Sequence, residues 1–334
     1  MSEALDELGV LVLMPTYNHS RYIEKAISSV LYQETNFPIE LIISDDASTD
    51  ETLSIINSLK STTSVKVQLY VQQFNIGPIE NGIFLRDIAQ KHRFRYVTIL
   101  EGDDYWIDTK KLQKQVDFLE NNLKFSICFH RVYTIDETMN ISNDNLNNLE
   151  VEADFTIEDL AKGNFMHTSS VVFRNFTPIP NWFRDIKVCD YPLFMLSASS
   201  GEIHYLPDFM AVYRVHAGGI WSSINQKNRL LHWVEMLQYL MKEFSDSISI
   251  NTLLRKQYSK HCFNLSVLFL EESNSEEFEK YMAHAIEADS ASAKLYYNEL
   301  SRLRQVEKQI QSSYLLRLAR AIDVRVRKLR VFHK

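Results

Sequence analysis

Residues 96–106 read Tyr-Val-Thr-Ile-Leu-Glu-Gly-Asp-Asp-Tyr-Trp, a short β-forming run that ends in three carboxylates within four residues, a glycine and an aromatic pair. The apolar half has the length and composition of a buried strand, and Gly102 permits a tight turn directly after it. Acidic side chains packed between a buried strand and the rings of Tyr105 and Trp106 are costly unless they pair or coordinate something. Hard divalent cations such as Mg²⁺ or Mn²⁺ take oxygen ligands of this kind and keep positions open for substrate phosphates. The turn therefore predicts a cation site at a sheet edge, against the blander reading of a solvated acidic loop.

On both sides of this turn, from Leu8 to about Tyr133, short β-rich runs alternate with helical periodicity. That alternation predicts βαβ units and an α/β fold with a mostly parallel sheet. Strands are expected over 10–14, 40–44, 65–71, 96–100 and 125–133, and helices over 21–32, 51–60, 80–92 and 110–121. Ser48 with Glu51 forms a capping-box pattern at the start of the second helix. An Asn-rich stretch containing Asn140, Asn143, Asn145, Asn147 and Asn148 has too little apolar content for a strand and reads as an insertion loop. A strand near 169–173, a helix over 191–199 and a strand near 210–215 complete the same sheet. From Asn225 the chain has helical spacing and almost no Gly or Pro, so a boundary is expected near 224, with an α/β domain over 1–224, whose first half reads as a nucleotide-binding layer, and a helical region with a basic amphipathic tail over 225–334.

A chain of 334 residues, 45% hydrophobic and 24% charged, can bury a full core, which excludes disordered and collagen-like classes. Its net charge of −7 gives no reason to expect nucleic acid as a partner. Cys128, Cys189 and Cys262 are widely spaced and odd in number, which argues against a disulfide framework or a zinc knuckle. A reducing cytoplasm fits that usage, and neither a basic-flanked leader nor an apolar run of membrane-spanning length is seen.

Two further segments fall after expected strands, where open α/β sheets bind ligands. Pro15-Thr16-Tyr17-Asn18 follows the first and offers an aromatic ring that could stack on a base, or simply a turn capped by Asn18 or Ser20. Asp45-Asp46-Ala47-Ser48-Thr49-Asp50 follows the second. Capping explains Ser48 and Asp50, but not the paired Asp45 and Asp46, which repel each other without a ligand or donor. Asn75 and Gly77 bring backbone close to a nucleotide or form an ordinary turn. Phosphate loops of the G-x-x-x-x-G-K-[ST] and G-x-G-x-x-G types are absent, so phosphate neutralisation falls to a metal.

Met14-Pro-Thr-Tyr-Asn, Ser44-Asp-Asp-Ala-Ser-Thr-Asp and Glu101-Gly-Asp-Asp-Tyr-Trp, in this order and spacing, resemble the family 2 inverting glycosyltransferases of the GT-A fold, in their non-processive bacterial form, over about residues 1–222. The resemblance implies a nucleotide-sugar donor, Tyr17 stacking on the base, Asp46 accepting a uracil or thymine N3–H, and Asp103 with Asp104 holding the metal, the direct ligand of the two left open. Val188-Cys189-Asp190-Tyr191-Pro192 resembles the segment that supplies the base, making Asp190 the group that deprotonates the acceptor hydroxyl. A helix N-cap is the alternative for Asp190. His216, in Tyr213-Arg214-Val215-His216-Ala217-Gly218-Gly219, resembles the late histidine near the metal or diphosphate. His167, before Thr168-Ser169-Ser170, and Trp106 are expected on the acceptor side. Glu101 departs from the pattern, where an aspartate is common. The absence of Q-x-x-R-W and of membrane spans argues against a processive synthase.

The expected reaction is transfer of one sugar, from UDP by preference, to a hydroxyl of a glycan or lipid-linked glycan. A catalytically silent nucleotide- or glycan-binding scaffold is the alternative. A sugar nucleotidylyltransferase would need a glycine-rich basic loop that Pro15 to Asn18 does not supply. The helices after 225 are expected to pack or to pair two copies. Tyr314 to Lys334 carries seven Lys or Arg against Asp323 alone, with a stripe of Leu315, Ala319, Ile322, Val326 and Leu329. Such a helix suits an anionic membrane surface, a solvated helix or a coiled-coil seam.

Overall fold

The computed structural model describes residues 7–60, 65–138, 140–143, 149–175, 178–219, 224–292, 294–296, 298 and 301–302, so the basic segment 314–334 lies outside the described residues. The chain divides into two compact units, 1–254 and 255–334.

The first unit runs β1 (Glu7–Thr16), α1 (Ile23–Leu31), β2 (Ile39–Asp45), α2 (Thr52–Lys60), β3 (Lys66–Val71), α3 (Pro78–Gln90), β4 (Phe94–Ile99), β5 (Tyr105–Trp106), α4 (Lys111–Asn121) and β6 (Phe125–Asp136). It continues through β7 (Ile141–Asn143), β8 (Ala153–Phe155), α5 (Ile157–Leu160), β9 (Val172–Arg174), α6 (Asp190–Ala198), β10 (Glu202–Val215) and α7 (Gln226–Glu243). Helix α8 (Ile248–Glu271) follows, then α9 (Ser275–Ala288) in the second unit. The strands form one mixed sheet in the order β3-β2-β1-β4-β9-β6-β10-β5, with β7 added to β6 and β8 to β10. Pairs β1–β2, β1–β4, β2–β3 and β6–β10 are parallel, as crossover helices require.

β1 explains the architecture. Val10, Val12 and Met14 join the apolar cluster that includes Ile23, Ala26, Ile27 and Val30 of α1, while Leu11 and Leu13 are as fully buried on the alternate face. A strand covered on both faces reads as an unbroken apolar run, which is why this one stood out in the sequence. Each strand and helix expected before residue 133 is present, with β1 and β6 longer than their apolar cores.

Three expectations change in the second half. In the Asn-rich stretch Ile141–Asn143 forms the short strand β7 rather than loop, and Asn145, Asn147 and Asn148 lie outside the described residues, with β8 following at Ala153–Phe155. β7 and β8 are held by backbone pairing to neighbouring strands, and Ile141 is 65% exposed, so no buried side chains were needed. The strand expected over 169–173 is a 3₁₀ turn at Thr168–Ser170 followed by β9, because the Ser170 N–H and hydroxyl both bond back to the His167 carbonyl. β10 begins at Glu202 instead of 210: its register jumps between Leu206 and Phe209, and Pro207 sits in that irregularity, where its missing N–H costs no ladder bond.

Trp106 is a core residue, 4% exposed, whose indole N–H donates to the Ser169 carbonyl at 2.9 Å. The Lys111 ammonium lies 4.2 Å over its ring with no hydrogen-bond partner of its own, and burial pushes this amine down to about 7. Between about pH 7 and 10.5 the unfolded chain therefore holds a proton that the folded chain has released, so stability rises with pH across that window. Lys111→Met should remove that rise and stabilise the protein at pH 7 and below. Urea unfolding at pH 6, 8 and 10 checks this, and an unchanged slope would contradict it.

Candidate functional site

The carboxyl ends of β1, β2 and β4 lie side by side, and the loops that leave them are bonded to one another. After β1, the Asn18 N–H donates to Ser48 Oγ at 2.9 Å, and Asn18 Oδ1 accepts the Thr49 N–H at 2.8 Å. Asp50 accepts the N–H groups of Ser20 and Thr52, each at 3.0 Å. Against the effect of burial, the bonds from Thr52 and Ser20 hold its carboxyl down to about 2. Asn18 and Ala47 take left-handed backbone angles, φ 54° and 60°, the kind of local strain that persists only where surroundings fix it. The Ser48–Glu51 capping box does not form. Ser48 is engaged instead by Asp45, through its N–H at 2.8 Å and its hydroxyl, and Asp50 caps α2.

Pro15 and Thr16 end β1 as strand residues, and Tyr17 beyond them is 42% exposed at this edge. Asp46 beside it is 2% exposed and pins the loop after β3: Oδ1 accepts the Ile76 N–H at 2.7 Å and Oδ2 the Gly77 N–H at 2.9 Å. Gly77, at φ 86°, makes the turn into α3, and Asn75 also accepts its N–H, at 3.1 Å. The paired aspartates are thus accounted for by donors, Asp45 by Ser48 and Asp46 by two backbone amides.

The acidic turn packs directly on the first loop. A Cβ on Gly102 would stand 2.6 Å from Thr16 Oγ1 and 2.8 Å from His19 Nδ1, so only glycine lets these segments approach. Asp103 Oδ2 lies 3.0 Å from His216 Nε2 and 3.8 Å from His19 Nε2, while Asp103 Oδ1 is buried without a hydrogen-bond partner. Burial works against charge on Asp103, but the His216 hydrogen bond and the nearby His19 hold its carboxyl below the usual range. Asp104 is 3% exposed and accepts the Arg214 N–H at 2.9 Å. Burial, then Asp103 and Glu101, pushes it well above the usual range. Burial, then Asp103 and Asp190, pushes Glu101 up to about 8. The Arg214 guanidinium clasps the Asp103 carbonyl and stacks 4.4 Å over Tyr105 and 5.1 Å over Tyr22, whose ring lies 4.8 Å from that of His216.

Asp190 opens α6 as its first helical residue, with Cys189 at the N-cap position. Burial raises its carboxyl, opposed by the backbone N–H groups of Tyr191 and Asp190 and by the nearby His167. The Tyr213 phenol is raised first by burial and then by the charges of Glu101, Asp104, Asp103 and Asp190. His167 packs on the Tyr213 ring, with centroids 5.0 Å apart. The structure therefore gathers Tyr17, Asp46, Glu101, Gly102, Asp103, Asp104, Asp190, His216 and His167 at one edge. Trp106 does not join them. With its indole N–H occupied and its ring in the core, it offers no face to an acceptor, and its expected acceptor-side role is corrected to a packing one. Sequence reasoning missed His19, Tyr22 and Tyr213. His19 and Tyr22 follow one quoted motif and Tyr213 opens another, but only the fold brings them to the acids.

Among the described residues no three His, Cys, Asp or Glu side chains stand as a ready-made cation cage. The residues nonetheless fit a cation that completes its shell with substrate phosphates: an unpartnered Asp103 oxygen and an imidazole nitrogen on the same carboxylate are suitable donors.

The sequence profile of the family described as Glycosyl transferase family 2 matches residues 11–178, half of the chain. Over 208 residues the chain is 37% identical to an uncharacterized protein of Mycobacterium tuberculosis, covering 62% of this chain and 59% of that one, so it spans less than two thirds of that relative's length. It is 27% identical over 270 residues to the Escherichia coli UDP-Glc:alpha-D-GlcNAc-diphosphoundecaprenol beta-1,3-glucosyltransferase WfaP, covering 76% of this chain and 96% of that one. The crystal structure of S. aureus TarS 1-349 matches with a TM-score of 0.61 at 16% identity, over 86% of this chain and 83% of that one. Its complex with UDP-GlcNAc matches with a TM-score of 0.55 at 16% identity, over 87% and 92%. This likeness shows the fold, which is GT-A.

Asp46→Ala should free the Ile76 amide and leave the Gly77 amide to Asn75 alone. Hydrogen bonds to a charged group contribute about 1.5–3 kcal/mol each, and with Asn75 still accepting from Gly77 a loss of about 2–4 kcal/mol, below the full value of two such bonds, is expected, with faster amide exchange at Ile76 and Gly77. Exchange at wild-type rates would contradict the pinning role.

Proposed function

This chain belongs to glycosyl transferase family 2, and on that premise we propose that it transfers one sugar, with inversion, from a UDP-sugar to a hydroxyl of a glycan or lipid-linked glycan. The observation that carries the reading is the meeting, at one sheet edge, of an exposed aromatic ring, a histidine-bound aspartate with a free oxygen and a separate buried aspartate at a helix start.

In this reading Tyr17 stacks on the base. Each Asp46 oxygen keeps a lone pair beyond the amide it accepts, and one receives the uracil N3–H. Asn75 and Gly77 hold the backbone beside the nucleotide in the form that Asp46 dictates. Asp103 and His216 hold Mn²⁺ or Mg²⁺. Asp104, deeper and engaged by Arg214, stays behind them as the electrostatic partner of the turn rather than the direct ligand. When bound, the cation supplies neutralisation of the departing diphosphate. Asp190 removes the acceptor hydroxyl proton as that oxygen attacks the anomeric carbon, and its burial makes it a stronger base than a solvated carboxylate. His167 flanks the acceptor, and Glu101, beside Asp190, orients the sugar or ribose.

The Escherichia coli relative's name supports a lipid-linked acceptor, and its coverage of 96% makes it a whole-length comparison. No helix among the described residues is long and apolar enough to cross a membrane. Peripheral contact through the basic segment 314–334 would bring such an acceptor within reach and rests on sequence alone.

Incubation with UDP-glucose or UDP-GlcNAc and a GlcNAc-diphospholipid acceptor, with NMR of the product's anomeric proton, tests the reaction. Inverted product is expected. Asp190→Asn should lower kcat by about 10²–10⁴-fold with donor affinity kept, and Tyr17→Ala should weaken donor binding about tenfold. Wild type no faster than Asp190→Asn across a donor and acceptor panel would favour the silent scaffold instead.

A further inference from the structure

We propose that His19 is a second imidazole ligand of the divalent cation, forming with Asp103 and His216 an N,N,O set that joins the loop after β1 to the acidic turn and to the end of β10. This rests on the reading above, that the site takes a cation together with a nucleoside diphosphate.

Both imidazoles direct Nε2 at the same Asp103 carboxylate, His216 from 3.0 Å and His19 from 3.8 Å. The shorter distance is a hydrogen bond, but the longer one exceeds hydrogen-bond range, so His19 Nε2 faces the carboxylate without bonding to it. A six-coordinate cation with bonds of about 2.1 Å places neighbouring ligand atoms about 3 Å apart, close to these separations. Asp103 Oδ2, the oxygen that both imidazoles face, supplies the oxygen, and Oδ1 of the same carboxylate is buried without a hydrogen-bond partner.

The far side of the His19 ring is built as a metal-bound imidazole requires. Its Nδ1 lies 3.2 Å from Thr16 Oγ1, and with Nδ1 as the donor to that hydroxyl the lone pair is left on Nε2. The ring is mostly enclosed, with a side-chain exposure of 16%. The missing side chain at position 102 makes room for it: a Cβ there would strike His19 Nδ1 at 2.8 Å, so Gly102 is what admits this ring beside Asp103. The two histidine rings stand 6.5 Å apart and nearly perpendicular.

The test is Mn²⁺ titration of the full chain followed by electron paramagnetic resonance, with and without UDP, on wild type, His19→Ala and His19→Gln. Nitrogen modulation of the bound-Mn²⁺ signal counts imidazoles. Two are expected in wild type and one in either variant, with Mn²⁺ affinity about 10–100-fold weaker. If both variants keep two imidazole couplings and wild-type affinity, His19 is only the partner of Thr16 and this inference is overturned while the cation site stands. If wild type itself takes up no Mn²⁺ with UDP present, the underlying reading fails and this one with it. Thermal melting of the apo variants identifies a misfolded one, and His19→Gln, which keeps length and polarity, then decides the question.

Discussion

Like charges held together out of water set the terms for this protein. Glu101, Asp103, Asp104 and Asp190 all act electrostatically on one half-buried tyrosine, and four ionised carboxylates within that reach of one another repel. The structure resolves the conflict by treating each acid differently. Asp103 stays charged through His216, Asp104 and Glu101 are pushed toward the protonated form, and Asp190 is raised by its own burial. Arg214 adds fixed positive charge by clasping the turn's backbone and offering its N–H to Asp104. A cation with a diphosphate would relieve the same conflict by another route, which is why the acidic turn reads as a site and not as a surface loop.

The frame around these acids is rigid on the nucleotide side. Asn18, Ser48 and Asp50 join two loops by mutual hydrogen bonds, and Asp46 joins a third. Because backbone N–H donors and short side-chain acceptors make these bonds, the geometry is largely set before ligand arrives, and binding need not order the loops. Exposure follows the same division. The acids and their histidine partners are enclosed, while Tyr17 projects at the edge where a flat ring could lie against it.

What the sequence revealed follows from how local each signal is. β1 was legible because burial on both faces leaves a continuous apolar run, β4 because aromatic and β-branched residues fill Tyr96 to Ile99, and the helices because their spacing is internal to each segment. The acids of the turn were legible for the same reason: Glu101, Asp103 and Asp104 are neighbours in the chain. The contacts that give them meaning are not local. Nothing in Asn18-His19-Ser20 points to residue 103, and nothing in Tyr213-Arg214 states that its backbone caps Asp104. Trp106 misled because an aromatic beside an acidic turn suits substrate stacking as well as core packing, and only the Ser169 carbonyl and the Lys111 amine decide between them. Ser48 misled similarly: three residues before a glutamate it suits a capping box, yet Asp45 and Asn18 claim it first. In β10, Pro207 concealed a strand that continues through a bulge.

The central claim is that this edge binds a uridine diphosphate group through a cation held at Asp103. Calorimetric titration of the full chain with UDP, GDP and ADP, with Mn²⁺ and with EDTA, tests it most directly. The account predicts that UDP binds more tightly than either purine nucleotide, that the affinity falls at least tenfold in EDTA, and that Asp103→Asn removes the difference between the two conditions. Equal UDP binding with and without cation, or a preference for a purine nucleotide, would contradict it.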